Sequence, residues 1–126
     1  IKPGRPMAMG FWHDTPIFGL PGNPVAAATC ALIFVRPALS KFSGGNWIVP
    51  QAYYMPAAFE KTKKAGRREF LRARVSNNNV EIFKSEGSGL TNGLAWATGF
   101  VELPDEETSI SIGDKVKYIP FASFDL

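Results

Sequence analysis

Residues 24–35 read Pro-Val-Ala-Ala-Ala-Thr-Cys-Ala-Leu-Ile-Phe-Val, a helical run that is apolar on almost every side. A helix of that kind needs burial on more than one face. It is too short to span a bilayer, which takes about 20 residues, and Arg36-Pro37 follows it directly. The preceding sequence offers only two short strands, over residues 7–12 and 17–20, separated by the turn His13-Asp14-Thr15-Pro16. Two strands are too small a surface to cover such a helix. The first 45 residues are therefore expected to be the tail of an α/β unit whose other elements come from upstream sequence. An opening on Ile1 rather than methionine fits that expectation. The helix is expected to continue to about Phe42. Pro37 lacks the N–H that would bond the Ile33 carbonyl, so it should kink the helix there. Gly44-Gly45 should end it.

The entry to the helix is Gly19-Leu20-Pro21-Gly22-Asn23-Pro24. Proline at a fixed φ followed by a permissive glycine makes a tight turn. Asn23 suits the N-cap, where its side-chain oxygen can accept from a first-turn N–H. Pro24 suits the first helical position, which needs no N–H. Free backbone donors beside a glycine favour an anion. The same residues equally describe an ordinary strand-turn-helix corner.

From Asn46 onward the chain turns to β-branched and aromatic residues with regular turn signals. Residues 47–59 read as one extended strand interrupted by Pro50 and Pro56, and 61–66 as an exposed basic loop. Residues 67–75 alternate, with Leu71, Ala73 and Val75 on one face and Arg68, Phe70, Arg72 and Arg74 on the other. Asn77-Asn78-Asn79 is a hairpin turn, with residues 80–83 pairing back. A glycine-rich loop at 86–89, a helical turn at 94–97, a strand at 99–103, a turn at Gly113-Asp114 and a strand at 115–120 complete the pass. Many short strands with little helix imply a small barrel or clip. The fold class is thus mixed: an α/β tail over residues 1–45, then an all-β barrel or β-clip over 46–126.

Composition narrows the chemistry. With 45% hydrophobic and 20% charged residues the chain is globular rather than disordered. A net charge of +3 is too mild to imply nucleic acid by itself. The single cysteine, Cys30, rules out an internal disulfide framework and suits a reducing compartment. His13 is the sole histidine, no metal-ligand spacing is present, and no Ser-His-Asp set can be assigned. Oxyanion donors, by contrast, are plentiful. Lys2-Pro3-Gly4-Arg5-Pro6 sets two cations about a glycine, Glu86-Gly87-Ser88-Gly89 offers a hydroxyl in a permissive loop, and residues 61–74 hold seven of the chain's 14 cations.

Taken in order, these motifs resemble one family. Lys-Pro-Gly-Arg-Pro, Gly-Leu-Pro-Gly-Asn-Pro-Val-Ala opening a helix, and Val-Arg-Pro-Ala-Leu near its end are similar to the molybdopterin molybdenumtransferases (MoeA and the gephyrin E-domain). So are Gly66-Arg67-Arg68-Glu69-Phe70-Leu71-Arg72, Gly87-Ser88-Gly89, Gly99-Phe100-Val101-Glu102-Leu103-Pro104 and Gly113-Asp114-Lys115-Val116. The resemblance covers essentially the whole chain. It implies the end of a molybdopterin-binding α/β domain followed by a β-barrel domain. It also implies insertion of molybdate into adenylylated molybdopterin with release of AMP, assisted by Mg²⁺ whose ligands lie outside this chain.

By the same resemblance the protein is a cytoplasmic homodimer, with its site in a cleft between subunits and no membrane or nucleic-acid partner. Lys2 and Arg5 match the basic positions that hold the oxyanion. Pro21 and Pro24 match the prolines of the family's turn, shaped by Gly22 and Asn23. Arg67 and Ser88 match positions associated with molybdate. Two positions depart from the pattern: Ala26 stands where serine is common, and Glu86 where glutamine is usual. With the upstream glycine-rich segment missing, the chain alone is expected to lack transferase activity. Two other functions stay open at this point: a protein-interaction or scaffolding β module, and a single-strand nucleic-acid binder with Phe70 stacking between the cations of residues 61–74.

Overall fold

The computed structural model describes residues 7–20, 24–84, 93 and 95–124. It opens on a β-hairpin. β1 (Ala8–Trp12) pairs antiparallel with β2 (Thr15–Gly19), Trp12 lying opposite Thr15. His13 and Asp14 both have positive φ, 47° and 63°, which a two-residue turn between right-twisted strands requires. The second strand therefore begins two residues before the expected Ile17. Met9, Phe11, Trp12 and Ile17 are all exposed on this hairpin.

The long helix has three parts: α1 (Pro24–Cys30), a π-helical turn (Ala31–Val35) and α2 (Arg36–Phe42). The widened turn lies just ahead of Pro37. There the Arg36 N–H donates to the Ala31 carbonyl, one residue further back than in an α-helix. Proline cannot bond the Ile33 carbonyl, and a π-turn is one of the ways a helix absorbs that lost bond. The helix ends as expected: the Ser43 N–H donates to the Leu39 carbonyl, and Gly44 takes φ 89°.

The second half is a five-stranded antiparallel sheet in the order β3-β9-β7-β5-β6. Its strands are β3 (Tyr53–Pro56), β5 (Glu69–Ser76), β6 (Asn79–Ile82), β7 (Gly99–Leu103) and β9 (Lys115–Pro120). The two edges come together beyond β3: Ala57 bridges Val80 of β6, and the Ala58 N–H donates to the Val80 carbonyl at 2.8 Å. The sheet thus curls on itself into a partly closed barrel. β4 (Lys61–Lys63) and β8 (Thr108–Ile110) form a separate two-stranded ribbon. The 5–6 hairpin turns on Asn77 and Asn78, both at positive φ.

The period-2 pattern of the strands gives the barrel two apolar faces. Inside lie Phe59, Ala73, Val80, Val101, Leu103, Val116 and Tyr118. Outside, Phe70, Phe100, Ile119 and Phe124 form a second cluster, and Leu32 and Ile33 of the π-turn pack against it. Part of the cover that the apolar helix needs thus comes from the barrel that follows it in sequence, not only from upstream elements.

Three expectations need correction. Residues 47–59 do not form one strand, since regular pairing holds only over Tyr53–Pro56. Residues 61–66 are not a wholly exposed basic loop. Lys61–Lys63 are a strand, and Lys63 is 6% exposed, with its amine donating to the Lys64 and Asp105 carbonyls at 3.0 and 3.4 Å. Phe70 does not present its ring to solvent: it is 6% exposed and sits 6.1 Å from Phe100, edge to face.

Candidate anion-binding cleft

Arg67 is the sequence-selected cation whose surroundings the structure describes. It lies in the loop between β4 and β5, and that loop is tied down. The Gly66 N–H donates to the Asp105 carbonyl at 2.8 Å, and Lys63 reaches the same carbonyl from beneath. Next along the chain, Arg68 meets Glu102 at 3.5 Å and Asp105 at 3.9 Å. A loop pinned at its backbone and at one flanking side chain presents Arg67 from a fixed base, which lowers the ordering cost of binding an anion there. Arg67 itself is exposed.

Opposite the loop stands the π-turn of the helix. Ile33, Phe34, Gly66, Arg67, Arg68, Phe70, Glu102 and Asp105 enclose a cleft of about 580 Å³. One wall is apolar and the other carries two guanidinium groups. Glu102 and Asp105 are the carboxylates of its lining, and Glu102 is the more buried. Its side chain is 14% exposed, its Oε2 accepts from Lys117 at 2.6 Å, and its Oε1 faces Arg68. The sequence placed Glu102 within a strand and within the Gly99–Pro104 motif, with no role of its own. The available signal was its alternation: in Gly-Phe-Val-Glu-Leu the glutamate shares the outward face with Phe100, opposite Lys117 on the next strand.

The other selected residues fare differently. Lys2, Arg5, Pro21, Gly22, Asn23 and Ser88 lie outside the described residues. Pro24 opens α1. From Pro24 to Ile33 the helix rises roughly 14 Å, so the cleft that holds Arg67 faces the middle of this helix rather than its N-terminal corner. Among the described residues no three His, Cys, Asp or Glu side chains gather as metal ligands. None of the described helices is long and apolar enough to cross a membrane. The nucleic-acid function loses its stacking residue, because Phe70 is committed to the core.

Fold and cleft together define the class: a small curled barrel docked on an apolar helix, with arginines presented over the junction. The chain belongs to the MoeA family, residues 54–121 matching the MoeA C-terminal region (domain IV). It is 32% identical to a molybdopterin molybdenumtransferase of Haemophilus influenzae, covering 96% of this chain and 31% of that protein. A molybdopterin molybdenumtransferase of Synechocystis is 30% identical, with 90% of this chain and 28% of the relative covered. Among solved structures, a molybdopterin biosynthesis MoeA protein from Pyrococcus horikoshii superposes with a TM-score of 0.79 at 28% identity. That match covers 95% of this chain and 30% of the other. The chain thus spans under a third of the length of these relatives.

Proposed function

We propose that this chain is part of a molybdenum cofactor biosynthesis enzyme that inserts molybdate into adenylylated molybdopterin and releases AMP. The observation that carries this is Arg67, held on a pinned loop over a cleft in a domain of the MoeA family. Molybdate is a tetrahedral dianion, so cations and hydroxyls on fixed supports are suitable donors. Lys2, Arg5, Arg67 and Ser88 hold the oxyanion. Pro21, Gly22, Asn23 and Pro24 shape the corner that forms a further wall. The chemistry is positional: the donors hold molybdate against a dithiolene supplied by other parts of the longer protein.

The protein works as a homodimer in the cytoplasm on this proposal. The rise of roughly 14 Å between the Pro24 corner and the Arg67 cleft supports the dimer, since a corner and a cleft set apart in one copy can meet across two. Magnesium belongs to the proposal with its ligands elsewhere. The 126-residue chain alone is expected to be inactive.

The test is cofactor synthesis from adenylylated molybdopterin and molybdate by the longer protein. Arg67→Ala and Lys2→Ala are each expected to lower the rate about 100-fold, the scale of a lost oxyanion donor. Full activity in both variants would overturn the assignment.

A further inference from the structure

Beside the Arg67 cleft, behind the wall made by Arg68 and Glu102, lies a second groove of about 400 Å³. It lies against β3, β7 and β9 and reaches Thr108 and Ile110 of β8, so residues of both sheet faces line it. Register explains its lining: Tyr54 of β3 lies opposite Lys117 of β9, which lies opposite Glu102 of β7. Lys115 is two residues before Lys117 on the same face, and Arg68 closes one end. The floor, Leu103 and Val116, is buried and apolar.

The charges in this groove do not balance. Arg68, Lys115 and Lys117 line it with one carboxylate, Glu102, which Lys117 and Arg68 already engage; Arg68 also meets Asp105 at 3.9 Å, so the cation left over is Lys115. Lys115 has neither an ion pair nor a side-chain hydrogen bond among the described residues. An added cation would be repelled, while an added anion meets an ammonium with no partner. At the rim, Tyr54 is 68% exposed, so its ring face is open. We propose that this groove binds a small organic phosphate carrying a planar ring, with the phosphate between Lys115 and Lys117 and the ring on Tyr54. A dianion suits two lysines, each a compact cation with several donors. The ring gains stacking and an apolar floor. A single-stranded polymer fits less well, because continuous stacking needs a row of open aromatics and Phe70, further along the same cross-strand row, is buried. The site does not depend on the molybdate proposal, since it shares no ligand with Lys2, Arg5, Arg67 or Ser88.

The test is an amide-resolved NMR titration of the 126-residue chain with inorganic phosphate, adenosine, adenosine 5′-monophosphate and a single-stranded oligonucleotide. The monophosphate is expected to shift residues 54, 115 and 117 and to bind about tenfold tighter than phosphate or adenosine, the scale of one stacking contact. Lys115→Ala is expected to weaken phosphate and monophosphate alike by about fivefold, and Tyr54→Ala to remove only the monophosphate's advantage. Both residues lie at the surface, and unchanged shifts elsewhere establish that each variant folds. Equal binding of phosphate and monophosphate, or indifference to Lys115→Ala, overturns the proposal. An oligonucleotide that outcompetes the monophosphate reassigns the groove to nucleic acid and likewise overturns it.

Discussion

Removing the Phe100 ring should separate the helix from the barrel before the barrel itself fails. Phe100 is fully buried on the outer face of β7, with its ring 6.1 Å from Phe70 and 5.0 Å from Phe121, both edge to face. Leu32 and Ile33 of the helix pack against the same cluster. Replacing a core phenylalanine by alanine costs about 3–5 kcal/mol in lost transfer energy and residual cavity. Two edge-to-face pairs disappear with the ring, each worth roughly 0.5–1.5 kcal/mol beyond area, which favours the upper half of that range. Against a domain stability of about 5–15 kcal/mol the loss is a large fraction. A loss of about 4 kcal/mol should lower Tm by roughly 15 °C for a chain of this length. Val101→Ala provides the comparison, because Val101 is equally buried but on the inner face. It should cost about 2 kcal/mol. Urea unfolding gives the two energies, and hydrogen exchange locates them. In Phe100→Ala the amides of Ala31–Val35 should lose protection ahead of β7 and β9, whereas in Val101→Ala they should not. A loss below about 1 kcal/mol, or the same exchange pattern in both variants, would refute the reasoning.

Two further perturbations probe the same framework. A Cβ added at Gly99 would lie 2.4 Å from the Ile119 carbonyl oxygen and 2.8 Å from the Tyr118 ring, so Gly99→Ala must push β7 away from β9. It should cost about 2–3 kcal/mol in urea unfolding, and a change within about 0.5 kcal/mol would show that the strands yield freely. Burial pushes the Cys30 thiol above its ordinary pKa. Its stabilising effect is fully present below the ordinary thiol value, near 8.5, and fades as pH rises from there towards the folded-state value. Cys30→Ala should therefore flatten the alkaline fall in stability relative to the parent chain, and identical pH profiles would exclude a role for the thiol.

The elements that were legible from sequence are those whose signal is local. The strand at 99–103 and the strand at 115–120 appear with the expected bounds because alternation and a closing proline or turn glycine set them. Asn77 and Asn78 take positive φ, which asparagine tolerates better than other side chains. Lys63 and Phe70 were not legible. A lysine reads as solvent-facing, yet β4 pairs with β8 and carries this one over the Asp105 carbonyl. Phe70 stands between arginines in sequence, but its face of the sheet is covered by the helix and by Phe124. Of the candidate cleft, Arg67 could be given a role from its motif, while Glu102, though part of the Gly99–Pro104 motif, could not. A glutamate's importance here lies in the two cations brought to it from the β4–β5 loop and from β9.

The sequence by itself determined that this chain carries an apolar helix in need of cover, a run of short strands behind it, and oxyanion donors in place of proton-transfer residues. Those properties follow from side-chain type and spacing, which act over a few residues. Only the tertiary structure decided what covers the helix and where the charges meet. The sheet closes when Ala57 reaches Val80, and its outer face then receives Leu32 and Ile33. That packing sets Arg67 across a cleft from the π-turn and sets Arg68 and Glu102, the latter held by Lys117, between two pockets. Strand register and sheet curvature fix such neighbours, and both arise from pairings between residues far apart in the chain.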